Sequence, residues 1–480
     1  KIIDFNNYEK NKNLIFKKDF FKIEHPIIYN YDFVNLCNTL GGKKGIEIAK
    51  FGIFRWYEAN KFKAKLVWDS KQTANRILNL VNNFDFINSI STKTDDYKLK
   101  KILKINVKAF KRFTFRKKIG EYSLLEFKVY ILIKYILNEE IVDVKNKFKI
   151  ILDNQTDSFL MHKSYNIYKQ SKFINNINEI ISMLLNFDSE VPEILNLTKM
   201  KMEAVLAQYF HKDGTVALFN GTNNYNLEKI KLLFGKKQNI RKIQFPNDAN
   251  GIFYFEDKYK KIFFDAVQPT KSLPSKGLSA GTLSIEFSGD KEKIITNCGA
   301  LEKTSGNAAY LRYSAAHSTI ILENTNISEI KENQPNIKFP QMVSFKKQEE
   351  GSKHTVEVSH NGYIKNFKKI VKRKLYFEED ENSLIGEDSI ISATSKNKEV
   401  IFHIRFHVLP DINITQTNSK KNIIFKTRNN KIWVFESNKD LVLEESVFMD
   451  KNDVKETKQI VIKGITKLNR EKIQWSLTKK

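Results

Sequence analysis

The sequence predicts a multidomain α+β protein, with an all-helical N-terminal part (residues 1–238) joined to an all-β C-terminal part (residues 239–480). Three observations carry this. Apolar residues recur at three- and four-residue spacing up to about position 235, and at spacing two from about position 240 onward. A chain of 480 residues exceeds what one ordinary core organises. With 41% hydrophobic residues and 36 Phe there is apolar material for more than one core, and the composition is unlike that of disordered or fibrous chains.

The helical rhythm is clearest in residues 123–139, where Leu124, Leu125, Phe127, Val129, Tyr130, Leu132, Ile133, Ile136 and Leu137 fall in blocks three and four apart. Residues 68–86 repeat it with Arg76, Ile77 and Leu80, as do residues 174–187 and 200–210. Clusters of Asn, Asp and Gly at 213–214 and 220–224 mark the joins, which predicts a stack of antiparallel helices with short loops. The change of period falls at residues 234–246. Beyond it, residues 252–255, 261–265, 282–287, 293–297, 318–322, 356–359, 399–407, 423–426 and 432–436 read as short strands separated by turn residues. Strands in succession without helices predict antiparallel sheets packed as a sandwich.

The formal net charge of +26 invites a nucleic-acid partner. Lys, Asn, Ile and Phe are abundant together, however, and the lysines are spread over the whole chain. No aromatic RNA-binding signature or paired Cys/His finger accompanies them, so nucleic acid is not the expected partner. The long-range field still favours anions, uronate polymers among them. The apolar run at 129–137 is broken by Lys134 and falls short of the roughly 20 residues of a membrane span. No transmembrane segment is expected, and no signal peptide is visible after the leading Lys1. Cys37 and Cys298 read as two buried free thiols, and nothing in the sequence speaks to oligomeric state.

Eight histidines can be weighed singly. His25 and His354 stand in polar, turn-like surroundings and read as surface residues. His211 closes a helical stretch, where a cap is expected. In the strand around His403, period two sets His403, Arg405 and His407 opposite Ile404, Phe406 and Val408. That polar face suits an anionic ligand, a polar contact between domains or a hydrogen-bonded network beneath a loop. Arg312 and His317 precede an apolar strand, and His360 and Tyr363 share a turn. His162, Tyr165 and Asn166 crowd together in the helical part. No paired cysteines, His-Glu-x-x-His, calcium loop, phosphate loop or nucleophile elbow is present.

The C-terminal part resembles the heparinase II/III-like family. The stretches that carry this are Gly281-Thr282-Leu283-Ser284-Ile285-Glu286-Phe287-Ser288, Asn297-Cys298-Gly299, Tyr313 to Thr319, and His360-Asn361-Gly362-Tyr363 followed by Arg405-Phe406-His407. Asp213-Gly214-Thr215 to Gly221 is similar to the segment that closes the family's toroid, and the stretch from Trp68 to Arg76 is similar to an earlier helix. The resemblance implies an incomplete (α/α) toroid followed by a β-sandwich. It implies an acidic polysaccharide as substrate, bound in the cleft between them, and β-elimination next to a uronate. Such chemistry requires a neutralised carboxylate, a base for the C5 proton and an acid for the departing oxygen. By resemblance, Tyr165 is the base, and His162 and Asn166 neutralise the carboxylate. His317 and Tyr363 lend support from the sandwich side, and Asn220, Arg312, His360, Arg405 and His407 bind substrate. Periplasm or cell envelope is the implied location. The family's paired histidines and aspartate have no counterpart, since Gly277, Ser279 and Gly281 stand in their places and Asn297 replaces a further aspartate. His317 alone does not hold zinc, so no metal and no other cofactor is expected. The alternative is a catalytically degenerate glycan- or partner-binding protein of the same fold.

Overall fold

A computed structural model describes residues 26–62, 68–115, 117–223, 227–232, 247–248, 251–270, 277–301, 306–330, 338–395, 398–450 and 453–480. The chain forms two compact units. One comprises Lys1–Asn154 with Asn176–Leu197, the other Gln155–Asn175 with Thr198–Lys480. The described helices of the N-terminal part run to Leu232 and the first described strand begins at Ile252, after which the described helical segments are short, such as Ile364–Phe367; the expected join at 234–246, and His25, lie outside the described residues.

In the first unit, side chains set where helices begin. Asp69 accepts a hydrogen bond from the Gln72 amide (2.8 Å) and opens Ser70–Asn82. Ser123 and Glu126 form a reciprocal capping box that opens Leu124–Ile136. The inward stripe of Ser70–Asn82 contains Ala74, Ile77 and Leu80, and also a fully buried Arg76. Its guanidinium donates to Asn106 Oδ1 and the Tyr29 carbonyl, both at 2.7 Å, and stacks 4.5 Å from the Trp56 ring and 5.0 Å from that of Trp68.

The second unit contains two antiparallel sheets. The first is ordered β1 (Ile252–Glu256), β2 (Lys260–Asp265), β3 (Ile285–Gly289), β4 (Glu292–Thr296), β10 (Ile401–Val408), β15 (Asp453–Ile465) and β14 (Leu441–Asp450), with β5 (Ile320–Leu322) also pairing β10. The second is ordered β11 (Asn413–Gln416), β12 (Asn422–Lys426), β13 (Ile432–Ser437), β16 (Arg470–Lys479), β9 (Ser383–Ser392), β8 (Lys369–Glu378), β7 (Lys353–His360) and β6 (Val343–Glu350). Alternate residues of both bury one shared core in which Phe406, Phe435 and Trp475 meet with ring centroids 4.8–5.8 Å apart. Arg373 crosses that core. It pairs bidentately with Asp388 (2.7 and 2.9 Å) and donates to the carbonyls of Leu283 and Ser318, so the loops carrying those residues are tied to the second sheet.

All nine expected strand regions are occupied by strands. The sequence reading missed β6, β8, β9, β11 and β14–β16, whose outward positions carry enough Lys and Glu to mask the alternation. Cys37 and Cys298 are buried free thiols. His354 is not a free surface residue: it lies between Glu349 and Glu379, with its side chain 12% exposed.

Candidate functional site

His162, Tyr165, Asn166 and Asn220 belong to the same compact unit as the sheets, so their geometry can be followed bond by bond. The turn before helix Ile167–Asn186 is held by local bonds. The Ser164 amide donates to His162 Nδ1 (3.1 Å), which therefore lacks a proton, and the neutral ring carries its hydrogen on Nε2. Burial, assisted by Lys169 and Lys163, pushes His162 down to about 3, so it is a neutral donor at physiological pH. Tyr165 occupies the left-handed region at φ +48°, an uncommon place for a bulky aromatic residue.

The surroundings of the Tyr165 phenol are acidic. Burial first, then Asp157, Tyr209 and Asp265, hold it well above its ordinary value, and it hydrogen-bonds to Asp157. Burial also raises Asp157, although its carboxylate accepts from the amides of Phe159 and Met161, both at 2.9 Å. Asp265 is pushed up to about 7 by burial, against one bond from the Val267 amide (2.9 Å). Tyr165 is thus protonated at neutral pH and faces groups that accept protons.

Both ends of the Asn166 amide are engaged. Its Oδ1 accepts from the Lys169 amide (3.0 Å) and caps helix Ile167–Asn186, while its Nδ2 donates to the Asn220 carbonyl (2.9 Å). Asn220, at φ +50°, accepts from the Ser279 amide (3.0 Å) through Oδ1, and its buried Nδ2 has no hydrogen-bond partner. Such an orphaned donor costs free energy unless a ligand engages it.

The strip 277–281 continues the assembly. A Cβ built on Gly277 would lie 3.2 Å from Lys169 Nζ, and one on Gly281 would lie 2.7 Å from the His317 ring. The glycine at 281 is therefore what lets that imidazole pack against the strip. His317 Nδ1 donates to the Tyr313 carbonyl (2.8 Å), and burial brings this ring down to about 4. Arg312 donates to the Leu278 carbonyl (2.9 Å). Direct contacts thus link residues 162–169, through Asn220, to 277–281 and on to 312–317.

The other expected residues lie elsewhere. Tyr363 is part of the sandwich core and donates to the Thr325 carbonyl (2.9 Å); His360, also buried, has its ring 5.5 Å from that of Tyr363. The alternation of β7 explains this, because it turns His360 inward with Val356 and Val358. His407 braces the 314–317 turn from behind, with Nε2 donating to the Ala315 carbonyl (3.0 Å) and Nδ1 bonded to the Ser446 hydroxyl (2.7 Å). Arg405 pairs with Glu444 and Gln459, both at 3.1 Å.

His211 corrects the sequence reading most clearly, for it does not cap a helix. It is buried, with Nε2 3.0 Å from Glu286 and Nδ1 3.2 Å from the Ser288 hydroxyl. Glu286 also receives Lys293 Nζ (2.7 Å) and the amides of Leu218 (3.1 Å) and Asn297 (2.9 Å). Burial would raise this carboxylate, but Lys293 and His211 hold it down to about 2. A signal existed in the sequence: a Glu inside a fully buried strand requires compensating partners. No comparable signal marked Asp157, Lys169, Tyr209 or Asp265.

The donor set at 279, 297 and 317 does not fit a metal. Asn297 uses Nδ2 on Glu286 (3.3 Å) and Oδ1 on the Ser318 amide (3.0 Å), leaving one serine hydroxyl and one imidazole nitrogen.

Helices of an incomplete (α/α) toroid followed by an antiparallel sandwich define the class of toroid-and-sandwich proteins, as comparison with solved structures shows. Heparinase III superposes with TM-score 0.69 at 13% identity, over 91% of this chain and 74% of that one. The heparan sulfate lyase HepC from Pedobacter heparinus gives 0.64 at 12% identity, over 100% of this chain and 83% of that one. A second heparinase III gives 0.67 at 12%, over 97% and 81%. None of the curated proteins compared with the chain matches it in sequence. Residues 244–476 match the family model for the heparinase II/III-like C-terminal domain, so this part of the chain is a domain of that family.

Proposed function

We propose that the protein is a polysaccharide lyase that cleaves a uronate-containing glycan by β-elimination. The observation that carries this is the orphaned Asn220 Nδ2, buried beside the His162–Asn166 turn and aimed at no protein acceptor. Because Asn166 is spent on its cap, Asn220 takes the role of carboxylate ligand, together with the Nε2 hydrogen of His162 and the Lys169 ammonium. Their positive potential acidifies the C5 proton. A phenol with a reference pKa of about 10 is a poor base unless cations surround it, and acids surround Tyr165. The transfer is therefore a relay. Tyr165 oxygen takes the C5 proton as its own proton passes to Asp157. The released pair forms the C4–C5 double bond, the C4–O4 bond breaks, and the leaving oxygen is protonated from solvent. The basic net charge draws the polyanion in, and a periplasmic or envelope location accompanies this reading.

Purified protein with acidic polysaccharides should generate the ultraviolet absorbance of unsaturated uronate. Tyr165→Phe and Asp157→Asn should each abolish it without loss of binding. Absorbance that survives both substitutions would sink the relay. A second reading has support of its own, from Gly277, Ser279 and Gly281 at the family's His/His/Asp positions and the engaged amide of Asn297. The protein is then a catalytically degenerate binder of a glycan or partner, and tight, salt-sensitive retention with no absorbance change on any substrate would establish it.

A further inference from the structure

The outer face of the second sheet carries a groove whose lining includes none of the residues assigned to the candidate site. Register places Gln348, Thr355, Tyr376, Ile385, Ser476 and Asn422 in one row, with Glu436 between the last two, crossing β6, β7, β8, β9, β16, β13 and β12. All seven line one cavity of about 1070 Å³, at the top of the roughly 300–1,000 Å³ range of small-molecule sites. With strands about 4.8 Å apart the row is about 29 Å long, enough for several linked sugar rings.

We propose that this groove binds a neutral oligosaccharide. Three features select that class. A peptide would seek unpaired backbone at a sheet edge, whereas six of the seven strands here, all but the edge strand β6, have a neighbour on both sides and offer side chains. Those side chains are hydroxyls and amides arranged around an aromatic ring, Tyr376, beside Ile385, which is 46% exposed. Amides and hydroxyls bond to ring hydroxyl groups, and the apolar face of a pyranose stacks on an aromatic ring. The lining sets three cations, Lys353, Lys374 and Lys421, against four carboxylates, Glu350, Glu378, Glu387 and Glu436, so a polyanion gains nothing there. Gly386 forms part of the floor; a Cβ there would lie 2.2 Å from the Trp475 indole on the core side.

The test is isothermal titration of the intact protein with cellohexaose, mannohexaose and chitohexaose, alongside a heparan sulfate oligosaccharide. Saturable binding of at least one neutral hexasaccharide is expected, weakened about tenfold by Tyr376→Ala and kept by Tyr376→Phe. Gln474→Ala, an outward substitution on β16 that leaves the core untouched, should weaken it as well. Absence of binding by all three neutral probes overturns the proposal. So does binding that Tyr376→Ala and Gln474→Ala leave unchanged, or binding of the acidic oligosaccharide alone.

Discussion

Replacing Glu286 with Gln tests whether the buried carboxylate organises the segment leading to Asn220. The side chain is fully buried and joins three parts of the chain: the turn containing His211, the Leu218 amide two residues before Asn220, and Lys293 with Asn297. Gln keeps the shape but removes the charge, so the Lys293 ammonium, itself 1% exposed at its side chain, is left buried without a counter-ion. Breaking one partner of a buried pair costs about 3–5 kcal/mol, because the surviving charge has neither water nor a partner. Glu286→Gln should therefore lower the unfolding free energy by about 3–5 kcal/mol in urea denaturation followed by tryptophan fluorescence. Lys293→Met alone should cost a comparable amount, and the double variant should cost clearly less than the sum, since it removes the naked charge. Additive losses, or a loss below about 1 kcal/mol for Glu286→Gln, would refute this account.

Two further outcomes follow from the same geometry. Burial lowers His162, His360 and His407 to about 3 and His211 and His317 to about 4. Each is neutral when folded and charges more readily when unfolded, so each removes stability as pH falls from about 6.5 toward those values, by up to about 1.4 kcal/mol per pH unit. Asp265, raised to about 7, acts in the opposite sense between about 7 and 3.8, as does the raised Asp157, but these are two groups against five. The thermal midpoint should drop steeply between pH 6.5 and 4.5; a flat profile would contradict the buried, neutral state of these rings. Gly386→Ala puts a methyl 2.2 Å from the Trp475 ring and should cost about 1–3 kcal/mol by overpacking, measured by the same denaturation.

Much of this protein is legible in its sequence. Helices Ser70–Asn82 and Leu124–Ile136 and the expected strands were visible because burial of one face writes a period of 3.6 or 2 into the sequence. The stretch around Glu286 and the lone His317 were visible as motifs. Strands such as β8 and β15 were not, because Lys and Glu on their solvent side obscure the alternation. His211 was misread because only the fold brings β3 and its Glu286 to that ring. Asn166 and Asn220 look equivalent as letters. One becomes a cap and the other an orphaned donor, since that depends on which amides of residues 169 and 279 fall within reach.

The sequence by itself determined the helical and β-rich regions, the family resemblance and the residue types available for chemistry, because these follow from local periodicity and short motifs. Tertiary structure alone decided that Tyr165 faces acids rather than cations, that Tyr363 and His360 fill the core, and that seven strands align one row of polar side chains along a groove. Burial, pairing and electrostatic environment are properties of neighbours distant in the chain, and no local pattern encodes them.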